Sequence, residues 1–423
     1  MATDNTNLNA DTHVDTRDFR IESCTLIGSD GQGVDIRAMI PELQVRQDMY
    51  MGFMSGELLV KDGIDLLAKL QIHGGEYLFL HYKVPEQAIE LKKAFRIYKV
   101  GKRVPEENAQ KYTLYFVSDE LFNSEKNLVS KAYQDMALSD MAADILTTHL
   151  KVPTQKLFID STEEPDTLII PRMRPLEALN WLASRSQTAN KNTWFFYENF
   201  EGFHFKSLNT IYKAPKPIKV PFVFENKKGD KSLDMDKFAI DDMESRRDFD
   251  VVSTIASGGY AMSLTTVDPT SRTVKSHRYS AATSITKLYD NSAMSDVGGM
   301  LSDSLAHSLT YLAGHGVEKY IKRVMALAAL NSNMIEIAVP GNMGVQAGTV
   351  VSCRVPYSVV PSEGDMWDKQ KSGKYLCIAT NHKFDMVQHK YTTLAYLCRD
   401  SLPEALPAIS GTLTDKIKKL NNT

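Results

Sequence analysis

His382 and His389 stand seven residues apart across a turn, and paired imidazoles are a common start to a zinc site. Zinc asks for further donors, and none of suitable spacing lies near. The two therefore read as a strand end and a polar loop. The acidic pairs Glu163-Glu164 and Asp241-Asp242 could imitate the two carboxylates of a glycoside hydrolase, but adjacent acids in polar loops read as solvated surface. Trp194, Phe195, Phe196, Tyr197, Phe200, Phe203 and Phe205 could stack nucleic-acid bases. No basic groove accompanies them, so they read as core, with one face against a neighbouring subunit. Arg172 and Arg174 flank Met173 on an extended segment, where they serve a subunit contact or stay solvated. Lys416–Lys419 in DKIKKL reads as a contact or a solvated tail.

Other chemistry finds no footing. The chain has no G-x-x-x-x-G-K-[ST] run; its nearest glycine-rich loop, Gly341–Gly348, lacks the lysine and reads as a β-turn. There is no H-E-x-x-H and no G-x-S-x-G. No residue is singled out as catalytic, cofactor-binding or metal-ligating. No cofactor is expected, and the chain is not read as an enzyme.

Its 423 residues suffice for about three domains. With 43% hydrophobic and 24% charged residues the composition is that of an ordinary globular protein, and a net charge of −3 gives no field for sequence-specific nucleic-acid binding. Cys24, Cys353, Cys377 and Cys398 lack any C-x-x-C spacing, which speaks against a disulfide framework and fits a reducing assembly compartment. MATDNTNLNADTHVDT has no apolar core of a signal peptide, and no apolar run is long enough to insert in a membrane. The protein is expected to be cytosolic when made.

The elements that would position these residues fall into six parts. Residues 1–16 read as a flexible tail. Over 17–119 the segments FRIESCTLI, VDIRAMI, LQVRQD, GELLVKD, EYLFLHYKV, FRIYKVGKR and KYTLYFVSD alternate as short strands, the spacing of a barrel or sandwich. DGIDLLAKL at Asp62–Leu70 reads as one helical stretch among them. Over 120–192 the period becomes helical: SDMAADILTTHL puts Met141, Ala142, Ile145, Leu146 and Leu150 on one face behind a Ser139 N-cap. Pro175 opens a second helix with Leu176, Leu179, Leu182 and Ala183 as its face, and Gln187–Asn192 is a polar loop.

Residues 193–235 begin with an aromatic hairpin across Asn199–Gly202, expected to bury one face. The proline-bearing stretch after it reads as edge or linker, and Asn226–Ser232 as a turn. Residues 236–331 read as an insertion, with a hairpin turning at Asp268-Pro269-Thr270-Ser271. It continues through a weakly structured Asn291–His307 into a helix striped by Val317, Tyr320, Ile321, Val324 and Ala328. Residues 332–402 return to strands, and 403–423 form a C-terminal tail.

Two segments carry a family resemblance. ALNWLASR (Ala178–Arg185) leads into FYENFEGFHFKS (Phe196–Ser207), and a distant segment holds Pro340-Gly341-Asn342, Gly348, Val351, Gly373-Lys374-Tyr375-Leu376, His382, Tyr391-Thr392 and Arg399-Asp400-Ser401-Leu402. In this order they resemble the central baseplate hub proteins of contractile-tailed bacteriophages, the T-even-type tail hub family. The hub part of type VI secretion spike proteins is a more distant relative. The resemblance is best from Pro171 onward and general before it.

The resemblance implies an α+β, mainly β fold. Two similar tube-forming β-barrels would comprise 17–119 and the split 193–235 and 332–402. A helical/mixed domain would lie between them, with an insertion in the second barrel that the hairpin opens. It implies a homotrimer in the tail baseplate of the virion, assembled in the host cytoplasm, with a channel for genome passage. Its partners would be the tail tube protein, the central spike protein, baseplate wedge proteins and the tape measure protein. A hub subunit of a type VI-like apparatus or tail-like bacteriocin is the alternative, although no periodic spike β-helix follows. A tail-associated cell-wall hydrolase is a third reading.

The residues add a hint of their own. HYKVP, a strand, Lys111-Tyr112-Thr113 and Asp119-Glu120-Leu121 recur in order as SCRVP, a strand, Lys390-Tyr391-Thr392 and Asp400-Ser401-Leu402. The second KYT strand is longer by two residues, which preserves the inward face. Duplication of one barrel in a trimer would give a ring of pseudo-sixfold symmetry under a hexameric tube, with true threefold symmetry toward a spike.

Overall fold

The structure, a computed structural model, describes residues 19–403 except 30, 86, 164, 187–192, 216–217, 225–236, 248–250, 290–306, 313–316, 332, 358–365 and 402. The expectations for 1–16, Glu164, Gln187–Asn192, Asn226–Ser232, nearly all of Asn291–His307, Leu402 and Lys416–Lys419 lie outside those residues. The fold is α+β and mainly β.

The first strands are β1 (Arg20–Ile27), β2 (Gly33–Asp35), β3 (Glu42–Asp48), β4 (Ser55–Asp62), β5 (Tyr77–Lys83), β6 (Glu90–Val100), β7 (Val104–Glu106) and β8 (Ala109–Ser118); all but the short β2 and β7, which bury no residue, turn one face to a core. VDIRAMI is strand only to Asp35, whose carboxylate accepts from the Arg37 N–H and guanidinium and turns the chain into a 3-10 turn. In DGIDLLAKL only α1 (Leu66–Lys69) is helical, since the Asp62 carboxylate holds the N–H groups of Ile64 and Leu66 in a turn.

The next layer contains α2 (Asp119–Lys126), β9 (Val129–Ala137), α3 (Leu138–Thr148), β10 (Leu157–Ile159), β11 (Pro165–Met173), α4 (Pro175–Arg185), β12 (Trp194–Glu198), β13 (Phe203–Ser207) and α5 (Leu208–Lys213). Pro175 is at the start of α4, as its missing N–H favours, and Leu176, Leu179, Leu182 and Ala183 are buried. Ala137, not Ser139, is the N-cap of α3; Ser139 lies inside the first turn and bonds Thr162. β9 escapes the sequence pattern because burial comes at Val129 and Tyr133, four apart, with Asp135 in left-handed backbone between them and the strand end. α5 is capped by the Ser207 hydroxyl, which accepts from the Thr210 N–H.

The chain continues as β14 (Phe222–Val223), β15 (Asp242–Arg247), α6 (Val251–Ala256), β16 (Ala261–Asp268), β17 (Thr273–Ser280), α7 (Ala281–Ser284), β18 (His307–Leu312) and α8 (Val317–Leu330). It closes with β19 (Asn333–Pro340), β20 (Val350–Arg354), β21 (Gly373–Asp385) and β22 (Lys390–Arg399). β16 and β17 form the expected hairpin, with the Asp268 carboxylate accepting from Thr270 and Ser271. β18 joins them in parallel. The buried face of α8 is Ile321, Met325, Ala326 and Ala329; Tyr320 is 53% exposed, so the true stripe is rotated toward the sheet.

Among the described residues one 14-stranded sheet runs β15-β19-β22-β21-β3-β4-β8-β6-β5-β1-β2, with β7 on β8, β20 on β21 and β14 on β20. It holds one antiparallel order twice: β3-β4-β8-β6-β5 and β15-β19-β22-β21-β20. Each copy has a register shift in the same place, between Ile97 and Lys99 on β6 and between Cys377 and Ala379 on β21. The backbone before it also matches. Gly75 N–H donates to Ile97 O and Ile97 N–H to Glu76 O; Gly348 N–H donates to Cys377 O and Cys377 N–H to Thr349 O. The two copies meet where β3 pairs with β21.

β15 is thus an edge strand of the large sheet, although its residues were expected inside the insertion. The aromatic hairpin β12–β13 also departs from expectation: it belongs to a separate three-stranded sheet with β10, not to the large sheet.

Candidate functional site

The hairpin is where the two copies and the helical layer converge. All five residues of β12 are buried, so the hairpin covers two faces and not the expected one. Trp194, Phe196, Phe203 and Phe205 pack with α3 and α4. Phe195 and Tyr197 enter a second core with Met49, Leu208, Leu376 and Cys398. Alternation cannot reveal this, because a strand between two layers is apolar on both sides.

Polar side chains at the tip fix the junction. The Glu198 carboxylate accepts from Met54 N–H at 2.8 Å and Ser118 Oγ at 2.6 Å, and it pairs with Lys93. Lys93 also reaches Glu120 at 3.0 Å. Burial works against charge on Lys93, but the attraction of Glu198 and Glu120 outweighs it and raises the ammonium pKa. Burial raises the Glu198 carboxyl, opposed by Lys93. The pair lines a cleft of about 290 Å³ together with Lys92, Lys156, Asp119 and Glu201.

The tip is tied to the second copy as well. Phe200 N–H donates to Gln346 Oε1 at 3.0 Å, and Ala347 N–H to Gln47 Oε1 at 3.0 Å. Gln87 bonds both Met343 N–H and Gly341 O. His204, stacked between Phe158 and Tyr197, bonds Asn199 Oδ1 at 2.8 Å; burial lowers its pKa to about 3 and keeps it neutral.

Gly341 and Gly348 of the resemblance motif are spaces for aromatic rings. A Cβ at Gly341 would stand 1.8 Å from Tyr391 Cδ1, and one at Gly348 2.1 Å from Tyr197 Oη. Asp400 is buried and accepts from Tyr212 Oη at 2.7 Å, Leu288 N–H at 2.9 Å and Ser401 Oγ at 2.7 Å. It pins α5 and the residues after α7 to the end of β22, and burial raises its pKa.

The other residues singled out by type are scattered. His382 is not at a polar strand end: it is fully buried, bonds Tyr391 Oη at 2.8 Å, and burial lowers its pKa to about 3. His389 is exposed in the following turn, with φ +49°. Glu163, Asp241 and Asp242 are exposed. Arg172 is exposed at a bulge of β11, and Arg174 pairs with Glu125 and Glu177 at the start of α4. Among the described residues no three His, Cys, Asp or Glu side chains gather as a metal site, and no helix is long and apolar enough to cross a membrane.

The sequence matches no protein-family model and no curated protein. The fold is similar to that of solved tail proteins. One is the tail protein from Neisseria meningitidis MC58, 12% identical, with TM-score 0.56 over 92% of this chain and 100% of that one. Another is the 43 kDa tail protein of prophage MuSo2 from Shewanella oneidensis, 11% identical, with TM-score 0.51 over 90% of this chain and 100% of that one. At these identities the likeness is one of fold.

Proposed function

We propose that this chain is a structural subunit of a phage-type tail, the baseplate hub, and that it works as a homotrimer between a hexameric tube and a trimeric spike. The observation that carries the reading is the repeated five-strand order with its repeated bulge. Each copy has its own apolar core, around Leu58, Phe95 and Phe116 in the first and Ile337, Val351 and Leu397 in the second. We read the copies as two tube-forming barrels. Three such chains present six similar units toward a sixfold partner and keep three identical faces toward a threefold one. The fold likeness to tail proteins supports this reading.

An adapter must transmit force without shearing, and the junction described above is built for that. The hairpin fills the space between the copies, and its tip is bonded to both. The task asks for rigid, self-complementary surfaces rather than for a reaction. Light scattering on the purified full chain, alone and with a candidate spike protein, tests the proposal. A trimer in either condition is expected; a monomer in both overturns it.

A further inference from the structure

Two corresponding strand edges are finished differently in the two copies. β6 and β21 align through Arg96 opposite Val117 and Leu376 opposite Cys398. β5 and β20 pair with them without a register shift, with Ala94 opposite Phe79 and Lys374 opposite Ser352. Ala94 is thus the counterpart of Lys374. Ile97 and Cys377 each turn N–H and C=O to the residues just before β5 and β20. Alternation along a strand then turns those groups of Ala94 and Lys374 to the opposite side. That side is where β8 and β22 run out, at Ser118 and Arg399.

In the second copy the chain closes this edge itself. The Tyr289 hydroxyl accepts from the Lys374 N–H. The segment that carries it is held by Leu288 N–H to Asp400 Oδ1 at 2.9 Å and Tyr289 N–H to Ser401 Oγ at 3.1 Å. In the first copy no described residue bonds Ala94 on that side. Ala94 is exposed, and with Lys92 it lines the cleft of about 290 Å³ beside Asp119 and Glu120. Lys93, between them, sends its side chain to Glu198 and Glu120 and leaves the edge open. An unpaired edge of this kind invites another chain.

We infer that this cleft seats a short extended segment of a partner protein, which continues the sheet beside Lys92 and Ala94 where β8 leaves off. Its main chain gives a C=O to the Ala94 N–H and an N–H to the Ala94 C=O. The occupant is a polypeptide because a polypeptide segment closes the counterpart edge. It comes from elsewhere because Leu288 and Tyr289 are already bonded at the second copy. The rest of the lining is apolar at Val152, Pro153 and Phe200 and charged at the exposed Lys156 and Glu201. The segment therefore inserts an apolar side chain and keeps polar or charged neighbours. The seat does not depend on the trimeric reading above.

The test uses the full chain. Hydrogen exchange on the free protein should find the Lys92 and Ala94 amides open and those of Leu91 and Lys93 protected by β5. A phage-displayed library of short random peptides is then selected on the wild type. Ala94→Pro removes the edge N–H without touching the β5 ladder, and Pro153→Arg crowds the cleft from another element. Selected peptides should protect the Lys92 and Ala94 amides and lose about ten-fold or more in affinity against each variant. Thermal melts establish that the variants fold, and Pro153→Arg carries the comparison if Ala94→Pro does not. Protection of Lys92 and Ala94 in the free chain overturns the seat. So does a library without binders, or peptides that bind the folded variants as well as the wild type.

Discussion

Gly348 lies beneath the ring of Tyr197, with φ +83° and no room for a Cβ, which would stand 2.1 Å from the phenolic oxygen. A glycine of one sheet copy and an aromatic of the hairpin are thereby locked together. Gly348→Ala must push the ring away and adopt a left-handed backbone, at a cost of about 3 kcal/mol. The urea midpoint should fall accordingly. An unchanged midpoint would show that the junction yields freely.

The Lys93–Glu198 pair should behave as a buried pair whose halves depend on each other. Lys93→Met strands a carboxylate that is 1% exposed and should cost about 3 kcal/mol. Adding Glu198→Gln should recover more than half of that loss. Strict additivity in the double-mutant cycle would count against the coupling.

His204 and His382 predict an acid-sensitive fold. Both are held neutral with pKa about 3, below the usual 6.5. Below pH 6.5 the unfolded chain takes up protons that the native imidazoles refuse, so stability falls as pH drops toward 3. Each contributes a slope of about 1.4 kcal/mol per pH unit. The raised carboxyls of Asp400 and Glu198 act in the opposite sense, so the difference between wild type and His382→Gln is the quantity to follow. It should shrink by about that slope between pH 6 and 4.

Cys24, Cys353, Cys377 and Cys398 are free and buried, and burial raises their thiol pKa values, that of Cys353 to about 12. A thiol-specific reagent should find none of them in the native protein and all of them in urea. Rapid labelling without denaturant would show that the sheets open.

The sequence by itself determined most of the local structure. Alternation in FRIESCTLI or KYTLYFVSD and the Pro175 start of α4 are short-range physics, and the structure follows them. The KYT order even announced the repeated strand plan, because a two-residue difference leaves the inward face unchanged.

What only the tertiary structure decided is what each residue faces. Trp194–Glu198 looked half-buried and is buried on both sides, because the helical layer and the sheets close over it from opposite directions. His382 looked like a strand end and is core, since Phe200, from the hairpin, and Tyr391, from β22, pack against its ring. β15 is a sheet edge because it pairs with β19, some 90 residues later in the chain. Pairing between distant segments is governed by three-dimensional register, which no window of neighbouring residues contains. The joint between the two copies, and the edges left over for a third element, are products of that register.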